Sequence, residues 1–314
     1  MKQSTLTCIT IVFTFLFFGF CILNPYFCSQ SVRQSLDICA RSLVPSLFPF
    51  LVLSTFLGKL KGFRKVPFNF VLSKFFGFDP FLNLICFLGL FFGFPSGACA
   101  ISEAYKQNKC SKCEAELAIA FSNNCSFPFL INVVGATVFG SLKTGYLLFV
   151  SQTLSVITVC FILRKVYLQK SLYTHAGCNT QNTPSGFSTH IQNLIYSIRE
   201  SAFSMLYICA FTVFFGLVCK AGTSFIPILQ SGLPKSLLCG FLEITNGVFS
   251  CFALPFPMDV VVCSCVCSFA GLSVYFQIES ICQESGLSTR LFLVSRLICA
   301  PLSAFYTLVL LLIC

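Results

Sequence analysis

The stretch "FLEITNGVF", residues 241–249, decides the fold. It lies inside an apolar run from Leu237 to Phe256, a length of about 20 residues that suits a bilayer crossing. Its middle holds a carboxylate, Glu243, and the polar trio Thr245, Asn246 and Gly247. Hydrocarbon offers such groups no partners, so a plain spanning helix is a poor reading. A re-entrant hairpin fits better, because an arm of about ten residues reaches ~15 Å, near the bilayer centre. Thr245 to Gly247 is then the expected tip. Gly247 permits the turn, and Thr245 and Asn246 satisfy freed backbone groups.

The composition around this stretch sets the class. Charged residues make up only 10% of the chain and hydrophobic ones 56%, too little charge to cover a soluble surface. The chain is therefore read as an all-α polytopic protein of the cell membrane, its lipid bilayer the first partner. The net charge of +10 fits cytoplasmic loops rich in Lys and Arg, so no nucleic-acid partner is expected. Most of the 21 cysteines stand in apolar runs, Cys86, Cys160, Cys239 and Cys299 among them, and read as small hydrophobes. Cys110 and Cys113 form a lone CxxC with no second pair. Cys263, Cys265 and Cys267 read as packing, so no metal or other cofactor is expected. The apolar run from Leu6 to Leu23 reads as a retained first helix rather than a signal peptide.

Apolar blocks at 6–23, 42–58, 80–94, 117–140, 145–163, 201–219, 237–256, 258–278 and 290–314 are divided by a polar stretch at 164–198. Around that linker the halves resemble each other. "GFPSGA" (93–98) faces "EITNGV" (243–248), "SNNCSFPF" (122–129) faces "SFAGLSVYF" (268–276), and "FGSLKTGYLLFVSQ" (139–152) faces "SGLSTRLFLVSR" (285–296). Three matches in order, at offsets of roughly 145–150 residues, suggest an internal repeat. The division is 1–40, an N-terminal transmembrane helix and outer loop; 41–163, a first membrane repeat; 164–198, the linker; and 199–314, a second repeat. Basic residues at 59–74, 106–112 and 164–170 are placed in the cytoplasm, together with the N-terminus. The block 80–100 then enters and leaves on one side, with a tip at "FPSG" (94–97), where Pro95 breaks the helix and Gly97 turns it. The halves acquire opposite orientation, an inverted repeat with about seven spanning helices and two re-entrant hairpins. The segment 65–78 reads as an interfacial amphipathic stretch.

"SLVPSLFPFLVLS", "GFPSGACAISEAYKQNKCSKCEAELAIAFSNN", "FLEITNG" and "FAGLSVYFQ" together resemble the YlbJ-type sporulation integral membrane proteins, whose nucleoside-recognition Gate domain is similar to parts of transporters. The motif positions are Gly93 to Ala98, Glu114 to Glu116, Ser122 to Asn124, Glu243 to Gly247 and Gly271 to Gln277. The resemblance runs from about Arg41 to the C-terminus and implies a role in endospore formation, in cortex or envelope assembly. Ala270 stands where the family has Gly. "SFPF" (126–129) replaces a glycine-rich segment, which implies a milder helix break after Asn124.

The candidate solute-binding residues are the tips and the two polar helices. They are Pro95, Ser96 and Gly97; Ser122, Asn123 and Asn124; Glu243, Thr245, Asn246 and Gly247; and Ser268, Ser273 and Gln277. Glu243 is the strongest, because intramembrane ionisable residues are rare and face the interior or a cavity. Burial favours a neutral carboxyl, so it is a candidate carrier of a coupling proton, with sodium the other option. The bland reading is a structural acid. Asn amides suit a ribose, a base edge or a backbone carbonyl equally well. Ser273 and Gln277, four apart, share a helix face. Glu103, Glu114 and Glu116 read as exposed partners of nearby lysines. With no GxSxG, no HExxH and both His in the linker, an enzyme is not expected. A transporter-like protein for a small polar solute, nucleoside-like in one version, is the leading reading. A non-transporting scaffold for spore envelope assembly is the alternative, and homo-oligomers are compatible with either.

Overall fold

The structure is a computed structural model describing residues 2–59, 69–167 and 187–313. Among these residues it is helical throughout, with no strand. The chain opens with α1 (Lys2–Leu23) and α2 (Pro25–Ile38), which passes through a π-helical stretch (Cys39–Leu43) into α3 (Val44–Lys59). α4 (Asn69–Phe75) follows, burying Leu72. The first four residues of the expected interfacial segment, 65–68, and most of the linker, 168–186, lie outside the described residues.

One order of elements then occurs twice. In the first half come α5 (Pro80–Phe92), α6 (Ser96–Lys106), α7 (Lys112–Ser122), a π-helical stretch (Phe129–Val138) and the long α8 (Leu142–Tyr167). After α9 (Phe187–Phe225) come α10 (Gly232–Leu242), α11 (Ile244–Cys251), α12 (Met258–Phe269), α13 (Gly271–Gln283) and the long α14 (Arg290–Ile313). Each half thus has two short helices, a helix in two pieces and an unbroken helix.

Local chemistry starts and stops these pieces. Asp79 caps α5, accepting from the N–H of Phe81 at 3.0 Å, and Pro80 takes the first helical position. Ser111 and Glu114 form a capping box at α7. α5 ends at Gly93, with φ +76°, where an added Cβ would lie 2.7 Å from Ser126. Only glycine fits that turn. The helix piece after α12 begins at Ala270, which adopts φ +74° although it carries a side chain.

The turns fall earlier than the sequence suggests. The tip of the second pair is Glu243 itself, extended at φ −149° and ψ 125°, while Thr245 to Gly247 already belong to α11. A carboxylate able to cap α11 makes the turn without a glycine. Gly247 serves close approach instead: its added Cβ would lie 2.4 Å from Gly240 Cα, so α10 and α11 fold back on each other there. In the first pair the turn is made by Gly93, not Gly97, and Ser96 and Gly97 start α6. Gly89 and Gly97 both abut the Ser122 carbonyl, so α5 and α6 approach α7 at one level. The break after Asn124 is complete rather than mild, with residues 123–126 outside any helix. Asn side chains there bond neighbouring backbone and replace the lost ladder.

Five described helical stretches are long and apolar enough to cross a membrane: Pro25–Leu53, Leu142–Tyr167, His190–Phe225, Met258–Gln283 and Arg290–Ile313. Phenylalanines such as Phe161, Phe203 and Phe305 are exposed along them, as lipid-facing positions require. α9 begins at Phe187, so the end of the polar linker is helical and the helix, ~58 Å long, overreaches the hydrocarbon. Small hydroxyls join α12 to α14, where Ser264 meets Ser303 at 2.7 Å and accepts from Thr307 at 2.7 Å. Cys86, Cys160, Cys263, Cys267 and Cys299 are buried in the packing. Cys239 departs from that pattern: it forms a disulfide with Cys219, which joins α10 to α9 across a Cα separation of 5.6 Å. Nothing in an apolar run marks which thiols face each other, because pairing depends on how two helices meet.

Candidate functional site

The four chain breaks carry the buried polar groups, and helix ends supply their partners. Glu243 is 1% exposed. Its Oε1 accepts from the Thr245 N–H at 2.9 Å, and its Oε2 from the Asn246 N–H at 2.8 Å and Asn246 Nδ2 at 2.7 Å. Those N–H groups are the positive end of α11, which favours a negative charge. Asn123 accepts from the Ala98 N–H of α6 at 3.0 Å and donates to the Ile119 carbonyl at 2.8 Å. The Asn124 carbonyl accepts from the Phe94 N–H at 3.0 Å, tying the break in α7 to the turn between α5 and α6.

Arg296 on α14 is the complement of Glu243. It is 2% exposed and ranks among the largest fully buried side chains. Its Nη1 donates to Asn124 Oδ1 at 2.9 Å and, weakly, to the Ser268 carbonyl at 3.5 Å. Its Nη2 donates to the Ala120 carbonyl at 3.1 Å. Ala120 and Ser268 are in the last turns of α7 and α12, so one cation sits at two negative helix ends. Neither Glu243 nor Arg296 forms an ion pair among the described residues. The rule that singled out Glu243 also covers Arg296, a lone cation well inside the apolar run 290–314.

Gln152 on α8 is a second residue that sequence reasoning passed over. It donates to the Cys125 carbonyl in the break after α7 at 2.9 Å. In the aligned halves "VSQ" (150–152) faces "VSR" (294–296), so Gln152 and Arg296 hold corresponding places. Each long helix thus reaches a carbonyl at the break in its own half.

Glu243, Thr245, Ser273 and Gln277 share a cavity of about 20 Å³, measured as space for the centre of a water molecule. Phe94 reaches it from the other turn, and Ser126 and Thr212 add hydroxyls. That space admits about one water. Pro95 and Gln277 border a second cavity of about 300 Å³. Gln277 is common to both, and its Oε1 is buried without a hydrogen-bond partner. The remaining candidates line neither cavity. Ser96 donates to the Gly93 carbonyl at 2.6 Å, Gly97 packs on Ser122, Asn246 braces Glu243, and Gly247 faces Gly240. Asn123 ties α7 to α6 and Asn124 ties it to α14, the Ser122 hydroxyl accepts from Asn123 Nδ2, and the Ser268 carbonyl accepts from Arg296. Glu114 caps α7, and Glu116 accepts from the Ser288 N–H at 2.9 Å besides facing Lys112 at 3.9 Å.

These features define a polytopic α-helical membrane protein with polar chain breaks buried at its centre. Along 99% of its length the chain is similar to the sporulation integral membrane protein YlbJ of Bacillus subtilis (strain 168), at 22% identity and covering 84% of that relative. The similarity bears out the resemblance to YlbJ-type proteins. No family model matches the chain, so the Gate-domain part of the resemblance rests on the motifs. No solved structure matches it.

Proposed function

We propose that this protein binds a small polar solute between its two helix-pair tips and moves it across the membrane of a spore-forming cell. The observation that carries the reading is the meeting of both tips, through Phe94 and Glu243, with Ser126 and Ser273 of the two broken helices at one cavity. Unwound backbone around a central site is how inverted-repeat transporters hold solutes. The recurring element order, and the matching roles of Gln152 and Arg296, support an inverted repeat with two re-entrant pairs. The positive-inside pattern supports a cytoplasmic N-terminus and linker. Glu243 is the group suited to carry a coupling proton. The sporulation role is taken from the relative.

A scaffold for envelope assembly is the second reading, and one observation favours it: the tip cavity admits about one water. A thermal-shift panel of nucleosides, amino acids, carboxylates and amines separates the two, with Glu243→Asp and Ser273→Ala in parallel. A ligand that raises the melting point of the wild type more than that of the variants supports the solute site, since only binding to the native state does so. No shift with any ligand favours the scaffold. Expression in Bacillus subtilis lacking YlbJ tests the sporulation role, with spore yield as the readout.

A further inference from the structure

We propose that the junction of α4 and α8 is a binding site for the headgroup of an anionic phospholipid. The inference goes beyond the transport reading and does not depend on what the central cavities hold.

Packing assembles the site from positions far apart in the chain. α4 is a short amphipathic piece that buries Leu72 and leaves Val71, Lys74 and Phe75 exposed. The last turns of α8 hold its C-terminal end. Arg164 Nη1 donates to the Lys74 carbonyl at 3.3 Å, and the Cys160 thiol donates to the Phe75 carbonyl at 3.5 Å. Gly77 makes room for this clasp, since an added Cβ there would overlap the Arg164 guanidinium. Lys74 is thereby brought beside Arg164 and Lys165, 90 positions further on.

Charge is the first argument. Lys74 and Lys165 are exposed, and none of the three cations pairs with an acid among the described residues. The nearest acid in the sequence is Asp79, whose Oδ1 accepts from the Phe81 N–H, and counting it leaves a formal balance of +3 − 1 = +2. The flanking sequence has the same sign. Residues 59–78 hold five Lys or Arg and no acid, and residues 164–186 hold three and no acid. Basic pockets beside membrane helices attract anionic headgroups, and the planar guanidinium of Arg164 suits a phosphate.

The surface next to the cations identifies a lipid rather than a soluble anion. Phe75 follows Lys74, and Phe161 stands one helical turn before Arg164 on a helix long enough to cross the membrane. The two rings are exposed, 37% and 49%, and touch with centroids 6.3 Å apart. Exposed aromatics just inside a basic helix end belong at the boundary between acyl chains and headgroups. A phospholipid fits both parts at once, its chains along Phe75 and Phe161 and its phosphate at Lys74, Arg164 and Lys165. A zwitterionic headgroup brings no net charge to the cations, and an anionic one does.

The test uses the full chain in lipid bilayers. The sequence has no tryptophan, so Phe161→Trp supplies a single fluorophore beside the cations. Quenching by dibrominated phosphatidylglycerol against dibrominated phosphatidylcholine gives the relative affinity of the two lipids at that position. Phe75→Trp repeats the reading from the α4 side, and Phe305→Trp, on the exposed surface of α14, is the reference. Each cation near the membrane surface strengthens anionic-lipid binding roughly fivefold. Phosphatidylglycerol is therefore expected to be favoured by about fivefold or more at positions 75 and 161 but not at 305, and less so as salt rises. Lys74→Gln with Lys165→Gln, two exposed side chains, is expected to remove most of that preference at an unchanged melting curve, with Arg164 kept because it braces α4. Equal ratios at the three positions, or a preference that survives the double replacement, overturn the inference. A preference abolished by millimolar inorganic phosphate at constant ionic strength assigns the cations to a soluble anion and overturns it too.

Discussion

Glu243→Gln is the sharpest perturbation of the central tip. Three N–H donors share the two oxygens of Glu243, two of them backbone groups at the start of α11. A glutamine offers one oxygen and one NH2. The Asn246 amide can rotate to suit it, but the Thr245 and Asn246 backbone N–H groups cannot. Whichever way the new amide faces, one buried N–H loses its acceptor, at a cost of about 1–3 kcal/mol. Removing the charge from the helix end adds about 0.3–1 kcal/mol. The sum is roughly 1.5–4 kcal/mol, which lowers the melting point by at least ~3 °C. Circular dichroism at 222 nm in detergent measures it. Glu243→Asp keeps two oxygens and a good capping residue, and is expected within ~1 kcal/mol of wild type. If Glu243→Gln melts within ~1 °C of the wild type, or if Asp falls as far as Gln, the capping account of this carboxylate is wrong.

Further outcomes follow from the other breaks. Ala270→Gly relieves a left-handed φ of +74°, worth about 1–2 kcal/mol against glycine's entropy of about 0.5–1 kcal/mol, so it should raise stability by ~0.5–1 kcal/mol in the same melts. A drop in stability would mean that the buried methyl packs better than its backbone is strained. Arg296→Ala orphans Asn124 Oδ1, at about 1–3 kcal/mol, and leaves the Ala120 carbonyl to the Ser295 hydroxyl. Arg296→Lys, which keeps the charge and can keep one of those bonds, should lose about half as much, and a loss equal to that of Arg296→Ala would show that the charge contributes nothing without the paired guanidinium bonds. Cys219→Ser opens the link to Cys239 and should cost about 2–4 kcal/mol. Alkylation with mass readout should find these two thiols in the wild type only after reduction.

How much was legible depends on the kind of contact. The membrane class was written in the charge content, and both helix-pair turns in polar or Pro/Gly interruptions of apolar runs. The turns themselves were misplaced by a few residues, because Glu243 caps α11 through its side chain and Gly247 is needed for contact with Gly240. Neither property shows in local propensity. Asn123 and Asn124 stood out as polar residues, but their partners Ala98 and Arg296 lie 25 and 172 positions away. Such pairings appear only once the helices are packed. Glu103 reads as a surface partner of lysines because Glu200 and Glu284, which line the second cavity with it, stand far away in the sequence.

The Cys219–Cys239 bond has a mechanical consequence. Cys239 stands one helical turn before Glu243, so the bond stitches α10 to α9 just below the tip. Further along, α9 lines the second cavity with Tyr196, Phe203, Tyr207 and Phe211. While the bond is intact, the arm beneath Glu243 cannot slide along α9, so the tip and the second cavity are tied to one helix. Reduction removes that stitch and leaves α10 held to α9 by packing alone.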